Sequence, residues 1–212
     1  MTTTYNVKHK ILISGIALLG IASLFSVYSV FADTTNALLP SSDGTYLRWM
    51  PSISTARRGH FNNVNELTCD GLASYNYTNA AGSRESYGIS LAAVPNGSTI
   101  TAITITPCAS KNNNYGSSTT TLGVFYRYNN MDSTVAWNYN LAGLTPTQLA
   151  PTTFNGLSLV KNSSSVIQIG AVISVGTNGA RLSRIATVIT YTPPATTTVA
   201  TSTTTVATTT PR

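Results

Sequence analysis

Charge is what this sequence most lacks. Only 12 of its 212 residues are Lys or Arg and 6 are Asp or Glu, or 8%, against about 25% in an ordinary soluble domain. A coiled coil or long helical bundle, which needs abundant Glu and Lys at heptad spacing, is thereby excluded. Highly charged disorder is excluded too, because Ile, Val, Leu and Tyr are frequent enough to build a core. Histidine is almost as scarce: His9 lies in the leader, so His60 is the sole imidazole beyond it. A zinc site with two or three His ligands within one exported chain is therefore excluded. Basic residues do not cluster, Arg57-Arg58 being the only adjacent pair, and no basic stripe with interleaved aromatics exists. Nucleic acid is not an expected partner.

What is present begins with an apolar leader. Met1 to Lys10 is polar and carries Lys8 and Lys10, Ile11 to Ala32 has no charge, and Asp33 opens a polar stretch. That order of charged, apolar and small-residue segments is that of a secretory signal over residues 1–32. The apolar run is also near the roughly 20 residues that span a bilayer as a helix. A cleaved signal and a retained N-terminal anchor helix at 11–32 both remain open, and both place the rest of the chain outside the cytoplasm, secreted or at the cell surface. Loss of Lys8 and Lys10 would take the net charge from +6 to +4 (6 − 2).

Cys69 and Cys108 are the only cysteines. In an oxidising compartment an isolated even pair without CxxC spacing is most simply a disulfide.

The chain divides by composition. Residues 33–44 read as a short linker and 45–192 as the folded domain. Residues 193–212 open on Pro193-Pro194 and repeat TTTVAT at 196–201 and 203–208. Such a tail has too little apolar surface to offset its ordering entropy and is expected to be disordered; outside the cell it resembles a wall-crossing or O-glycosylated stalk. Within 45–192 apolar residues alternate with period two. Leu122, Val124, Tyr126 and Tyr128 share one face of 119–128, with Thr121, Gly123, Phe125 and Arg127 on the other. Residues 166–175 and 182–191 alternate likewise. Shorter strands are expected at 46–49, 74–78, 87–91, 98–106, 134–139 and 156–160, with turn signals such as Pro95-Asn96-Gly97 and Asn129-Asn130 between them. Thr145-Pro146-Thr147-Gln148 alone reads as helical, with a capping Thr, a Pro at the first position and a Gln at the third, stopped by Pro151. Many short strands with almost no helix predict an all-β antiparallel sandwich of jelly-roll type.

The order of segments over 45–192 resembles a jelly-roll-like β-sandwich domain of phage virion proteins and bacterial surface and secreted proteins. The residues that carry the resemblance are Gly59-His60-Phe61, Val64-Asn65-Glu66, Asp70-Gly71, Ser74-Tyr75, Tyr87-Gly88-Ile89, VPNGSTITAITIT at 94–106, Trp137, LTPTQL at 144–149, Phe154-Asn155-Gly156-Leu157 and the closing strand 186–191. Cys69 departs from it, standing where the family often has acidic residues. The resemblance implies a structural or binding module and no catalytic residues.

The chemistry on offer is correspondingly thin. A Ser-His-Asp triad would have to use His60 with Asp70 or Glu66, and no GxSxG elbow occurs. Glu66, Asp70, Glu85 and Asp132 are the only carboxylates within 45–192. Glu66 and Asp70, close together in a loop, are the candidate ligands for calcium, and no other cofactor is expected. Trp49, Tyr115, Tyr126, Tyr128, Trp137 and Tyr139 are the aromatics that could stack on a sugar ring. Alternation assigns Tyr126 and Tyr128 to the core, which leaves Trp137 and Tyr139, sharing a face on a polar strand, as the better candidates for an exposed platform, with core burial still the favoured reading because Trp is usually mostly buried. The expected function is a non-enzymatic surface or secreted protein with a structural, adhesion or display role; the alternative is a carbohydrate-binding module. The expected partners are glycans or cell-envelope components, with the membrane touched only through residues 11–32.

Overall fold

The computed structural model describes residues 31–52, 59–113, 119–174 and 178–195. The leader up to residue 30, Arg57-Arg58, Tyr115 and the Thr-rich repeats lie outside the described residues. Among the described residues no helix is long and apolar enough to cross a membrane.

The described chain is a β-sandwich of two antiparallel sheets. In order, the strands are β1 (Asp33–Thr34), β2 (Pro40–Leu47), β3 (Met50–Pro51), β4 (Asn76–Thr78), β5 (Arg84–Ile89), β6 (Thr99–Lys111), β7 (Thr120–Tyr128), β8 (Met131–Asp132), β9 (Ala136–Leu141), β10 (Thr147–Gln148), β11 (Thr152–Phe154), β12 (Leu159–Val160), β13 (Ile167–Ile173) and β14 (Ala180–Thr192). One sheet runs β10-β6-β14-β4-β3, with β1 on β14 and β11 and β12 on β6. The other runs β2-β5-β13-β7-β8, with β9 on β7. Among the described residues between β3 and β4, His60–Asn63 forms a 3-10 turn.

Period-two alternation builds the core, as the sequence predicts. Tyr87 and Ile89 of β5, Leu122 and Val124 of β7, and Ile167, Ile169 and Ile173 of β13 face Ile103 and Ile105 of β6 and Ile185 and Ile189 of β14. Each such side chain contributes about 1.5–3 kcal/mol by leaving water. Ile100 joins Ile103 and Ile105 in the core despite its wrong parity. The β6–β14 register slips between Thr190 and Tyr191, which pair with Ala102 and Ile100, so Thr101 is the extra residue that turns Ile100 inward.

Two expectations fail. Residues 33–44 are not a linker: β1 pairs with the last residues of β14, Thr35 N–H donates to Ile189 O at 3.0 Å, and Pro40 begins β2. The free edges of β14 and β5 need backbone partners, and this segment supplies them. Nor is 145–150 helical. Thr147 and Gln148 pair with Ala109 and Cys108 as β10, and Leu149 N–H donates to Pro107 O at 2.9 Å. A one-turn helix closes few hydrogen bonds for the residues it fixes, whereas the long β6 edge offers a ready ladder.

Candidate functional site

Trp137 is where the sequence reading and the structure part most usefully. Leu122 pairs with Tyr139 and Val124 with Ala136, so Gly123 alone stands opposite both Trp137 and Asn138. This β-bulge reverses the parity of β9. Tyr139 turns inward and is buried; its hydroxyl donates to Ala150 O at 2.6 Å and lies 2.7 Å from Thr152 Oγ1. Burial pushes the Tyr139 phenol above its ordinary pKa. A ring so enclosed cannot stack on a ligand, and Tyr139 is withdrawn from the platform. Trp137 turns outward and is 46% exposed. Its ring lies over Gly123, where an added Cβ would come 2.9 Å from Trp137 Cε3 and closer still to Val135.

The same outer face carries a second aromatic, which alternation locates but does not explain. Phe125 is fully buried although it points away from the core. It rests on Gly170, where an added Cβ would lie 2.5 Å from Phe125 Cζ. Tyr46 meets it edge-on at 5.9 Å, and the Arg84 guanidinium stands 4.9 Å from its ring centre. Asp132 holds this cover in place: Arg127 donates to one oxygen at 2.5 Å, and Arg84 and the Tyr46 hydroxyl donate to the other at 2.7 and 2.8 Å. Both carboxylate oxygens are thus engaged by cations or a hydroxyl, and no negative charge is left uncompensated.

The remaining aromatics are placed otherwise. Trp49 is buried, its indole N–H donating to Ser83 O at 3.0 Å. Tyr126 and Tyr128 pack against the core at partial burial.

His60 pairs neither with Asp70 nor with Glu66. Its Nδ1 lies 2.8 Å from Glu85 Oε1, and the Trp49 backbone N–H donates to Glu85 Oε2 at 2.8 Å. Glu85 is fully buried. Burial raises its pKa to about 7, against the lowering influence of the Trp49 N–H and of His60. The signal for it was in the sequence: Glu85, Tyr87 and Ile89 share parity, which extends the inward face of β5 to a carboxylate. A carboxylate on Nδ1 orients an imidazole as in an acyl-transfer triad, but among the described residues no hydroxyl or thiol is hydrogen-bonded to His60.

Glu66 and Asp70 do come together. Glu66 accepts from the Ser74 hydroxyl, and burial, with the Asp70 carboxylate beside it, raises its pKa. Such surroundings favour the neutral carboxyl over a metal-binding carboxylate. Calcium takes six to eight oxygen ligands, and among the described residues no three His, Cys, Asp or Glu side chains gather into a metal-holding group.

Cys69 and Cys108 form a disulfide, with Cα atoms 5.8 Å apart. It ties the Glu66–Asp70 loop to β6, and it is compatible with an oxidising compartment.

Fold and site together define a β-sandwich whose six-stranded sheet presents an exposed tryptophan. No protein-family model and no curated protein matches the chain. Solved structures similar to it include the CBM36-1 domain of a multidomain xylanase from the hindgut metagenome of Trinervitermes trinervoides (TM-score 0.38, 11% identity, 74% of this chain and 96% of that one), and dimeric latent PorU from Porphyromonas gingivalis (TM-score 0.37, 9% identity, 77% of this chain and 13% of that one). Likenesses this distant say nothing about ligand or activity.

Proposed function

We propose that the chain is a non-enzymatic, exported β-sandwich that binds carbohydrate on the outer face of its six-stranded sheet, in an adhesion or display role at the cell surface. The observation that carries this reading is the Trp137 ring, half exposed and seated on Gly123. A flat indole held against a sheet by a close glycine is a rigid apolar surface of the kind that takes the C–H face of a sugar ring. Export rests on the leader and the disulfide. The absence of enzymatic activity rests on His60, whose hydrogen-bonded partner is a buried carboxylate and not a nucleophile.

A polysaccharide pull-down and glycan array on residues 31–212 test the reading. Retention on a glycan should fall about ten-fold in Trp137→Ala, the equivalent of about 1.4 kcal/mol. No retention of the unmodified protein on any glycan would leave only the structural role.

A further inference from the structure

The end of β7 carries a cleft that the outer face does not account for. Where β8 folds back, Tyr126, Tyr128, Met131, Asp132, Ser133 and Leu159 enclose about 100 Å³ open to solvent. Its aromatic walls are fixed before any ligand arrives. Phe154 holds the Tyr126 ring edge-on at 5.2 Å, and the Tyr128 hydroxyl donates to Val160 O at 2.5 Å. The polar groups nearby are largely spent. Ser133 Oγ accepts from Tyr126 N–H at 3.0 Å and donates to Thr134 O at 2.9 Å, and Asp132 is neutralised by two arginines. The Tyr126 hydroxyl differs: it has no hydrogen-bond partner among the described residues. Met131 in its lining is 73% exposed and gives the cleft an apolar edge.

These features specify a ligand. Asp132 is the only charged side chain lining the cleft and is already bonded to two arginines, so the lining offers a charged ligand no free counter-charge. Two fixed rings favour a flat apolar face, and a lone free hydroxyl favours a partner that both donates and accepts. An enclosed apolar cavity of about 150 Å³ takes one benzene ring, so an open cleft of this volume takes the end of one six-membered ring and no more. A neutral pyranose meets every condition. Tyr126 and Trp137 lie on opposite faces of the sheet, so one sugar unit cannot touch both.

We propose that the Tyr126–Tyr128 cleft is a second carbohydrate site, separate from Trp137, which takes the terminal pyranose of a neutral glycan. The inference rests on the carbohydrate reading above and adds the ligand's class and a second station, which on a polymer raises avidity without new contacts.

The test is a titration of isotopically labelled residues 31–212 with the methyl β-glycosides of glucose, xylose, galactose and N-acetylglucosamine, read by backbone amide shifts. At least one should move the amides of residues 126–133. Tyr126→Phe should weaken that binding about three- to ten-fold, the loss of one hydrogen bond, with an unchanged amide spectrum elsewhere, because that hydroxyl bonds nothing in the protein. Trp137→Ala should leave these shifts intact while lowering retention on the polymer. Silence at 126–133 with all four glycosides, or equal affinity in Tyr126→Phe, overturns the second site and leaves Trp137 standing. Shifts at 126–133 with polymer retention indifferent to Trp137→Ala would sink the outer-face reading and keep the cleft.

Discussion

Glu85 is the residue with the sharpest physical signature. A carboxyl with no exposure, held by Trp49 N–H and His60, has its pKa raised from 4.5 to about 7. A raised acid pKa means that the folded state binds the proton more tightly than the unfolded chain does. The favourable contribution is therefore complete below about pH 4.5 and is lost as pH rises through about 7. The difference is about 3 kcal/mol. Urea titrations across that range should show the wild type losing about this much relative to Glu85→Gln; parallel curves would mean that the carboxyl is not desolvated as described. Gly123 makes a second prediction at this scale. Gly123→Ala puts a methyl against Trp137 and Val135, and the ring, less tightly held than the backbone, should lift. Of the two tryptophans, Trp49 is buried and Trp137 exposed, so acrylamide should quench one and spare the other. In Gly123→Ala the quenchable fraction should brighten or shift and glycan retention should fall; an unaltered emission and retention would show that the ring does not rest there. The sequence reading starts β5 at residue 87 and so misses Glu85, although its parity with Tyr87 and Ile89 carries the signal. The split between an exposed Trp137 and a buried Tyr139 was not legible, because parity argues both onto one face.

Bulges decide which element faces what. β6 and β9 each contain one extra residue, at Thr101 and at Trp137-Asn138, and each reverses the side-chain alternation beyond it. A bulge needs a partner strand to be defined against, so a single sequence read strand by strand does not reveal it. β13 imposes the opposite kind of constraint. It is paired on both sides, with β5 and β7, and Gly170 stands opposite Ser86 and Phe125. An alanine there would lie 2.5 Å from Phe125 Cζ and from Glu85 O. The backbone oxygen of a neighbouring strand cannot yield as a side-chain tip can. Gly170→Ala is expected to cost about 1–3 kcal/mol and to shift the urea midpoint down; an unmoved midpoint would show that Phe125 is seated elsewhere. The expected helix at Thr145–Gln148 misled for a related reason. Its capping signal is local, and β6 overrides it.

For the whole molecule, the disulfide is the long-range tie. It closes a loop of 39 residues and should contribute about 4 kcal/mol through the entropy it removes from the unfolded chain. Cys69→Ala/Cys108→Ala, or reduction, should lower thermal stability by that order, and non-reducing peptide mass spectrometry should recover the two cysteine peptides linked. An unchanged melting temperature would mean that the reduced chain is already held together elsewhere. The sequence by itself determined the class of fold, the cysteine pairing and most strand positions, because alternation, turn residues and an even cysteine count are local or countable properties. It did not determine that residues 33–44 complete both sheets, that His60 meets Glu85, that Trp137 faces outward while Tyr139 does not, or that Tyr126 lines a cleft. Those follow from pairing register between strands distant in the chain. Register depends on the free energy of the assembled sheets, which no single strand contains.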